Sequence, residues 1–517
     1  MKHLKKIMSL LLTAIMVIAM CVPVMAEGGT PVALTQCTLT APAKGQGAEH
    51  TYELYQIFTG TLHMDGSTKI LTDIKWGQNA KGGTFGTPVS DTIIQSLEST
   101  KNTATNDEEK LAEIQKYVDL KTTAFKTIKS GVSETIPTGY YLIKDADNTL
   151  QGQDGAYTKY VVYVVSDMTF TTKTSVPTVV KKLKEKNDTT GNETGWQDGA
   201  DYDIGDNVPF QLTGTLPSDY DKYTSYKYVF HDTLSSGLTY NKDAKVYVVN
   251  GNDEVEITSS FTTTDLASIV CNDLKKISGV TINSASKIVV RYTAELNENA
   301  NKGSLGNKNE VYLEYSNNPN YTGEGENSPT GKTPKDTVIV FTYILEANKV
   351  NENNEPLAGA GFTLYKIEKG GEKAVGNEIK GANLTKFTWN GLDAGKYILK
   401  ETTVPSQYSK IDDIEFEIVG QYTADLGATG DAPELTGLLV KDKVGNTISG
   451  NPESGATFSA TLTEDSAKVS TNVVNKKGSQ LPETGGIGTT IFYVVGVVLM
   501  LGAGVLLITK RRMSAKH

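Results

Sequence analysis

Lys287-Ile-Val-Val-Arg-Tyr-Thr293 and Lys159-Tyr-Val-Val-Tyr-Val-Val165 are short runs of β-branched and aromatic residues interleaved with polar ones. Such runs read as half-buried strands, because side chains point to opposite faces with period two. Around them the chain is rich in Thr, Val, Tyr, Gly and Asn, with turn residues between the runs. The pattern predicts an all-β protein built from sandwiches. One stretch, Asp107 to Ile128, has apolar residues at helical spacing and predicts a helix inserted in the first domain. Breaks near Pro177 and in the Asn/Gly/Pro-rich stretch from Asn317 to Pro334 suggest boundaries. A weak repeat links the two ends of the body. Tyr52-Glu-Leu-Tyr-Gln-Ile57 parallels Phe362-Thr-Leu-Tyr-Lys-Ile367, and Gly139-Tyr-Tyr-Leu-Ile-Lys-Asp145 parallels Gly395-Lys-Tyr-Ile-Leu-Lys-Glu401.

Both ends of the 517-residue chain carry membrane signals. Lys2, Lys5 and Lys6 precede an apolar stretch from Ile7 to Val24. Val24-Met25-Ala26 then reads as a secretory cleavage site, which starts the mature chain at Glu27. At the other end Ile491 to Ile508 is uncharged and long enough to span a bilayer. Lys510, Arg511 and Arg512 follow it and hold the tail on the cytoplasmic side. Roughly 450 residues lie between, room for three domains. The formal charge of −10 argues against nucleic acid as a partner. Only Cys37 and Cys271 remain after processing, in different predicted domains, so the domains need some staple other than a disulfide. The histidines left, His50, His63 and His231, are scattered. There is no metal-ligand spacing and no nucleophile elbow, so neither an enzyme nor a cofactor is expected. The acidic runs Thr189-Thr-Gly-Asn-Glu193 and Gly323-Glu-Gly-Glu-Asn327 read as solvated loops, and no metal site is expected there.

Leu481-Pro482-Glu483-Thr484-Gly485 stands directly before the apolar helix and basic tail. Together the three parts resemble the cell-wall sorting signal of Gram-positive surface proteins. The resemblance implies that a sortase cysteine attacks Thr484 and releases Gly485 and everything after it. An amine then takes over the acyl group. The helix and basic tail stall the chain at the membrane, and the proline kinks the peptide so that the scissile amide is exposed.

Three polar residues in the last domain fall on strand faces that otherwise read as core. Period two groups Lys349 with Leu345 and Ala347, and Glu401 with Tyr397 and Leu399. Asn475 ends Thr471-Asn-Val-Val-Asn475, with Asn472 on the opposite face. Burial lowers a lysine pKa and raises a carboxyl pKa. A neutral Lys349 amine could then attack the Asn475 side chain while protonated Glu401 moves protons, leaving an amide cross-link. Lys349, Pro356-Leu-Ala-Gly-Ala-Gly-Phe362, Tyr397-Ile-Leu-Lys-Glu401-Thr402 and Asn475 resemble the collagen-adhesin B-type (CnaB) domain of pilins. That resemblance implies the Lys349–Asn475 bond.

A similar set lies between residues 177 and 316. Lys181 shares a face with Val179 and Leu183. Asp232 shares one with Tyr228, Phe230 and Leu234, and Asn309 one with Val311, Leu313 and Tyr315. The set resembles the isopeptide-forming domain of fimbrial backbone proteins, related to the collagen-adhesin A-type (CnaA) fold. It implies a Lys181–Asn309 bond helped by Asp232, with Lys182 and Asn307 as the alternatives. In the first domain, counting back from Tyr52 as from Phe362 to Lys349 lands on Leu39. Asp145 holds the acid position without a nucleophile, so no cross-link is expected there.

Met168-Thr-Phe-Thr-Thr-Lys173 resembles the pilin motif VxVYPK, with Thr171 and Thr172 in place of Tyr-Pro and no upstream Trp. In that family the lysine resolves the sortase thioester, so Lys173 of one subunit would join Thr484 of the next, with Lys181 and Lys182 as alternates. The resemblance as a whole is to sortase-assembled major pilins of the SpaA type. It implies tandem immunoglobulin-like sandwiches of CnaA and CnaB type. The expected order is a signal peptide (1–26), an N-terminal pilin domain (27–174), a CnaA-like domain (175–335), a CnaB-like domain (336–477) and the sorting signal (478–517). Expected partners are a class C pilin sortase, a housekeeping sortase, further copies of the chain, peptidoglycan, minor tip or base pilins and a host receptor. The expected location is the fimbrium, covalently attached to the cell wall. A monomeric wall-anchored adhesin would share every feature except a need for Lys173.

Overall fold

The computed structural model describes residues 36–44, 47–65, 68–105, 107–171, 175–424, 426, 432–448, 456–478 and 487–514. The expected signal peptide with Ala26 and Glu27, the lysine at 173 and the pentapeptide Leu481 to Gly485 lie outside them. The described residues are dominated by strands, as the alternating runs predict.

The first part pairs a three-stranded sheet, Gln36–Thr40 between Ser133–Pro137 and Met168–Thr169, with a five-stranded sheet built on Thr51–Asp65 and Gly139–Asp145. Cys37, Leu39, Leu54, Ile136, Tyr141 and Ile143 fill the space between them. The other face of the larger sheet is buried too. Two helices, Asp91–Thr103 and Asp107–Gln115, bring Leu97 and Ile114 onto Phe58, Trp76 and Tyr140. Burial on both faces explains why Gly139–Asp145 reads as a nearly continuous apolar run.

The helix expected from Asp107 to Ile128 is corrected here. It stops at Gln115, and Ile128 sits in the strand Lys126–Lys129 against Thr51–Asp65. The cause is tertiary. Buried Asn79 donates through Nδ2 to Thr122 Oγ1 and Thr123 O, and its carbonyl accepts from Asp119 N. These bonds pull the chain out of helical register. The helix Asp91–Thr103 had no counterpart in the sequence reading, although Ile93, Ile94 and Leu97 carry the helical spacing.

The second part is a sandwich of two six-stranded sheets. One runs through Gly199–Asp201, Asp336–Phe341, Asn307–Ser316, Tyr228–Leu234 and Ile269–Cys271. The other runs through Asp253–Glu256, Lys245–Asn250, Lys287–Leu296, Asn207–Thr215 and Val179–Leu183. Phe210, Leu212, Phe230, Val290, Val311 and Leu313 pack between them. The third part faces a four-stranded sheet, centred on Tyr343–Asn351 and Ala467–Asn475, with a six-stranded sheet centred on Gly361–Glu368 and Gly395–Thr403. Its core includes Leu345, Phe362, Leu399, Phe416 and Val469. The apolar helix Ile487–Ser514 closes the described chain with no face buried against the rest.

Asp336–Phe341 belongs to the second part by hydrogen bonding, since it pairs with Asn307–Ser316. Its side chains divide between two cores. Val338 and Val340 enter the second, and Ile339 and Phe341 enter the third. After Thr342 the same run continues as Tyr343–Asn351, so no loop separates the two parts.

Candidate functional site

In the third part the first and last strands are parallel neighbours. Lys349 lies opposite Val473, and Asn351 opposite Asn475. Parallel pairing of chain ends brings the Lys349 and Asn475 side chains together under the facing sheet, whose strand Gly395–Thr403 supplies Glu401. All three residues are buried. Lys349 Nζ donates to Asn475 Oδ1 at 2.7 Å and to Val473 O at 2.8 Å. Asn475 Nδ2 donates to both Glu401 oxygens, at 2.9 and 3.1 Å. Desolvation pulls the Lys349 pKa down to about 8, against the opposing attraction of Glu401. About a tenth of the amine is therefore neutral at pH 7, one hydrogen bond away from an amide carbonyl. Asn472 is held elsewhere and accepts from Asn348 Nδ2 at 3.3 Å.

The second part arranges its set across the sandwich. Lys181 comes from Val179–Leu183 in one sheet, and Asp232 and Asn309 from the other. All are buried. Lys181 Nζ pairs with Asp232 Oδ2 and donates to the Tyr292 hydroxyl at 3.0 Å. Tyr292 donates to Asp232 Oδ2 at 2.9 Å and accepts from Asn309 Nδ2 at 2.7 Å. Desolvation outweighs the mutual attraction at both ends of the ion pair. It lowers the Lys181 pKa to about 8 and raises that of Asp232. Burial thus favours the amine and acid forms that cross-linking chemistry requires. Among the described residues Asp232 Oδ1 and Asn309 Oδ1 have no hydrogen-bond partner.

The alternatives sit differently. Lys182 points to the other face of its strand and pairs with Asp198. Asn307 is buried, but Asn301 N, Asn301 O and Val340 O occupy its side-chain amide. Tyr292 was missed by sequence reasoning. The signal was present, because period two along Lys287–Leu296 puts Tyr292 inward with Ile288 and Val290.

In the first part Asp145 is buried at the acid position and Leu39 fills the place corresponding to the lysine. Asp145 accepts from Thr158 N at 2.7 Å and pairs with His50 Nδ1 at 2.8 Å. Cys37 and Cys271 are both free. A further buried polar group, also unforeseen, joins the second and third parts. Lys366 Nζ contacts Asp188 and Asp203, both at 2.6 Å, and Asp393 at 3.0 Å. The carboxylates of Asp188, Asp203 and Asp206 converge there, and the lysine supplies the countercharge.

Two segments match known family models. Residues 344–430 match the SpaA prealbumin-like fold domain, and residues 473–514 the LPXTG cell wall anchor motif. The first segment contains Lys349 and Glu401, and the second begins two residues before Asn475. The trypsin-resistant surface T6 protein of Streptococcus pyogenes serotype M6 is 28% identical over 401 residues, covering 66% of this chain and 70% of the relative. Similar solved structures include the T6 backbone pilin of that serotype, with 18% identity over 87% of this chain and all of that one at a TM-score of 0.46. The major pilin SpaA of Corynebacterium diphtheriae is another, with 13% identity over 86% of this chain and all of that one at a TM-score of 0.41. The chain thus carries, in order, a segment similar to the SpaA prealbumin-like fold domain and an LPXTG cell wall anchor motif.

Proposed function

We propose that the chain is the backbone subunit of a sortase-polymerised pilus, braced internally by Lys349–Asn475 and Lys181–Asn309 amide bonds. The observation that carries this reading is the pair of buried lysine, acid and asparagine sets. In one of them the amine lies 2.7 Å from the amide oxygen. Each bond forms when the neutral lysine amine adds to the asparagine Cγ. Glu401 or Asp232 moves the proton from the amine to the departing nitrogen, and ammonia leaves. The domains follow as 27–174, 175–335 and 336–477, with the strand Asp336–Phe341 hydrogen-bonded into the middle one, and each bond joins strands near the two ends of its domain. Tension along the polymer then runs through covalent bonds instead of unzipping the sheets.

Polymerisation uses Thr484 as acyl donor and the Lys173 amine as acceptor, catalysed by a class C pilin sortase. A housekeeping sortase transfers the finished polymer to peptidoglycan. Tip and base pilins and a host receptor complete the set of partners. Immunoblotting of surface extracts tests the reading. A high-mass ladder that survives SDS and disappears with Lys173→Ala is expected. A single band in the unaltered strain would instead identify a monomeric wall-anchored adhesin.

A further inference from the structure

We propose that Tyr292 is a catalytic group of the Lys181–Asn309 reaction, relaying a proton between Asp232 and the departing amide nitrogen of Asn309. The proposal rests on the reading that this bond forms. It starts from a difference between the two sites. Glu401 reaches Asn475 Nδ2 directly with both oxygens. Aspartate is one methylene shorter, and the partners of the Asp232 carboxylate are Lys181 Nζ and the Tyr292 hydroxyl. The Tyr292 hydroxyl bridges the shorter acid and the amide, accepting from Asn309 Nδ2 at 2.7 Å and from Lys181 Nζ at 3.0 Å while donating to Asp232. One oxygen therefore touches the nucleophile, the leaving group and the acid.

The step balances without an outside reactant. It begins with neutral Lys181 and protonated Asp232. Lys181 Nζ bonds to Asn309 Cγ, and the carbonyl electron pair moves onto Oδ1. As Cγ becomes tetrahedral, Nδ2 gains a lone pair and changes from donor to acceptor. Tyr292 gives its hydroxyl proton to Nδ2 and takes the proton of Asp232. The surplus proton on the former amine returns to Asp232. The Cγ–Nδ2 bond then breaks, the carbonyl re-forms and ammonia leaves, with tyrosine and aspartic acid restored. Desolvation holds the Tyr292 pKa far above its ordinary value, so the group works as a hydroxyl that passes protons and does not serve as a phenolate base.

The competing role is packing, since the Tyr292 ring stacks on Phe210 at 5.3 Å between centroids. Tyr292→Phe keeps the ring and removes the oxygen. The test follows full-length chain made by cell-free synthesis and sampled over time, with both linked peptides quantified by mass spectrometry. Tyr292→Phe should slow the Lys181–Asn309 link by about 100-fold. The Lys349–Asn475 link, forming at the unaltered rate in the same molecules, reports that the chain still folds. Adding Asp232→Glu to Tyr292→Phe should restore the slow link, because the longer acid reaches Nδ2 directly. A Tyr292→Phe chain that links at the unaltered rate overturns the proposal. So does a slow chain that Asp232→Glu leaves slow, which would assign the loss to packing. Absence of the Lys181–Asn309 peptide from the unaltered chain removes the bond itself, and the relay with it.

Discussion

Glu401→Gln separates the proposed covalent brace of the last domain from its fold. The glutamine keeps the length and polarity of the side chain and can still hydrogen-bond Asn475, but it cannot carry a proton from Lys349 to the leaving nitrogen. The predicted product is a folded domain with Lys349 and Asn475 side by side and unjoined. Its stability deficit follows from chain entropy. The two residues are 126 positions apart. Closing a loop of that length in the unfolded chain is worth about 5 kcal/mol. For a domain of this size that corresponds to a fall in Tm of roughly 15–20 °C. Calorimetry of the secreted region should show one transition moving by that amount. The transition of the middle domain, still tied through Lys181 and Asn309, should stay in place. The reasoning is refuted if Glu401→Gln still loses the ammonia of this bond, or if it lacks the bond and melts with the unaltered chain.

Further outcomes follow from the same geometry. Both lysines have pKa values lowered to about 8 and would react as neutral amines, so the rate of link formation in freshly made chain should climb as pH rises from 6, reach half its maximum near pH 8 and level off about one unit higher. Timed mass spectrometry across that range checks it, and a flat profile would contradict the amine mechanism. In a Glu401→Gln chain, Lys349 remains titratable with a folded-state pKa below its unfolded value. Without the Glu401 charge that opposes desolvation, the unfolded state binds more protons from below pH 8 up to about pH 10.5, so urea-measured stability should rise through that window. Stability that falls there would put the lysine in a different environment. Lys366→Met leaves Asp188, Asp203 and Asp393 without their countercharge and should cost about 3–5 kcal/mol, read as loss of cooperativity between the middle and last domains. Burial already holds the Asp393 pKa well above the carboxylate range. Protonation relieves the uncompensated acids in the folded state, so the deficit should shrink as pH falls from 7 toward 5. A deficit that grows instead would contradict the role given to Lys366.

Much of the placement of the lysine, acid and asparagine side chains was legible because burial in a sandwich alternates with period two. Lys349 shares its face with Leu345 and Ala347, Glu401 with Tyr397 and Leu399, and Asn309 with Val311 and Leu313, and all of these are buried. Alternation says which face a residue takes, but not which residue of another strand it meets. Lys181 and Asn309 lie on opposite sheets, whereas Lys349 and Asn475 lie on adjacent strands of one sheet. Tyr292 escaped notice because a tyrosine on an apolar face reads as core, and its hydroxyl gains meaning only from partners in three other strands. Lys366 shares an inward face with Phe362 and Leu364, so its burial was readable. Its acids arrive from positions 188, 203 and 393, and only the join between two domains gathers them. The helix running past Gln115 failed for a related reason, because a buried asparagine outside the segment competes for its backbone.

The central claim is that two amide bonds brace this chain. The most direct test is the intact mass of the secreted region, followed by peptide mapping. The account predicts a mass short of the sequence by two ammonias, with linked peptides that join Lys181 to Asn309 and Lys349 to Asn475. A mass equal to the full sequence, with all four side chains recovered free, would contradict it.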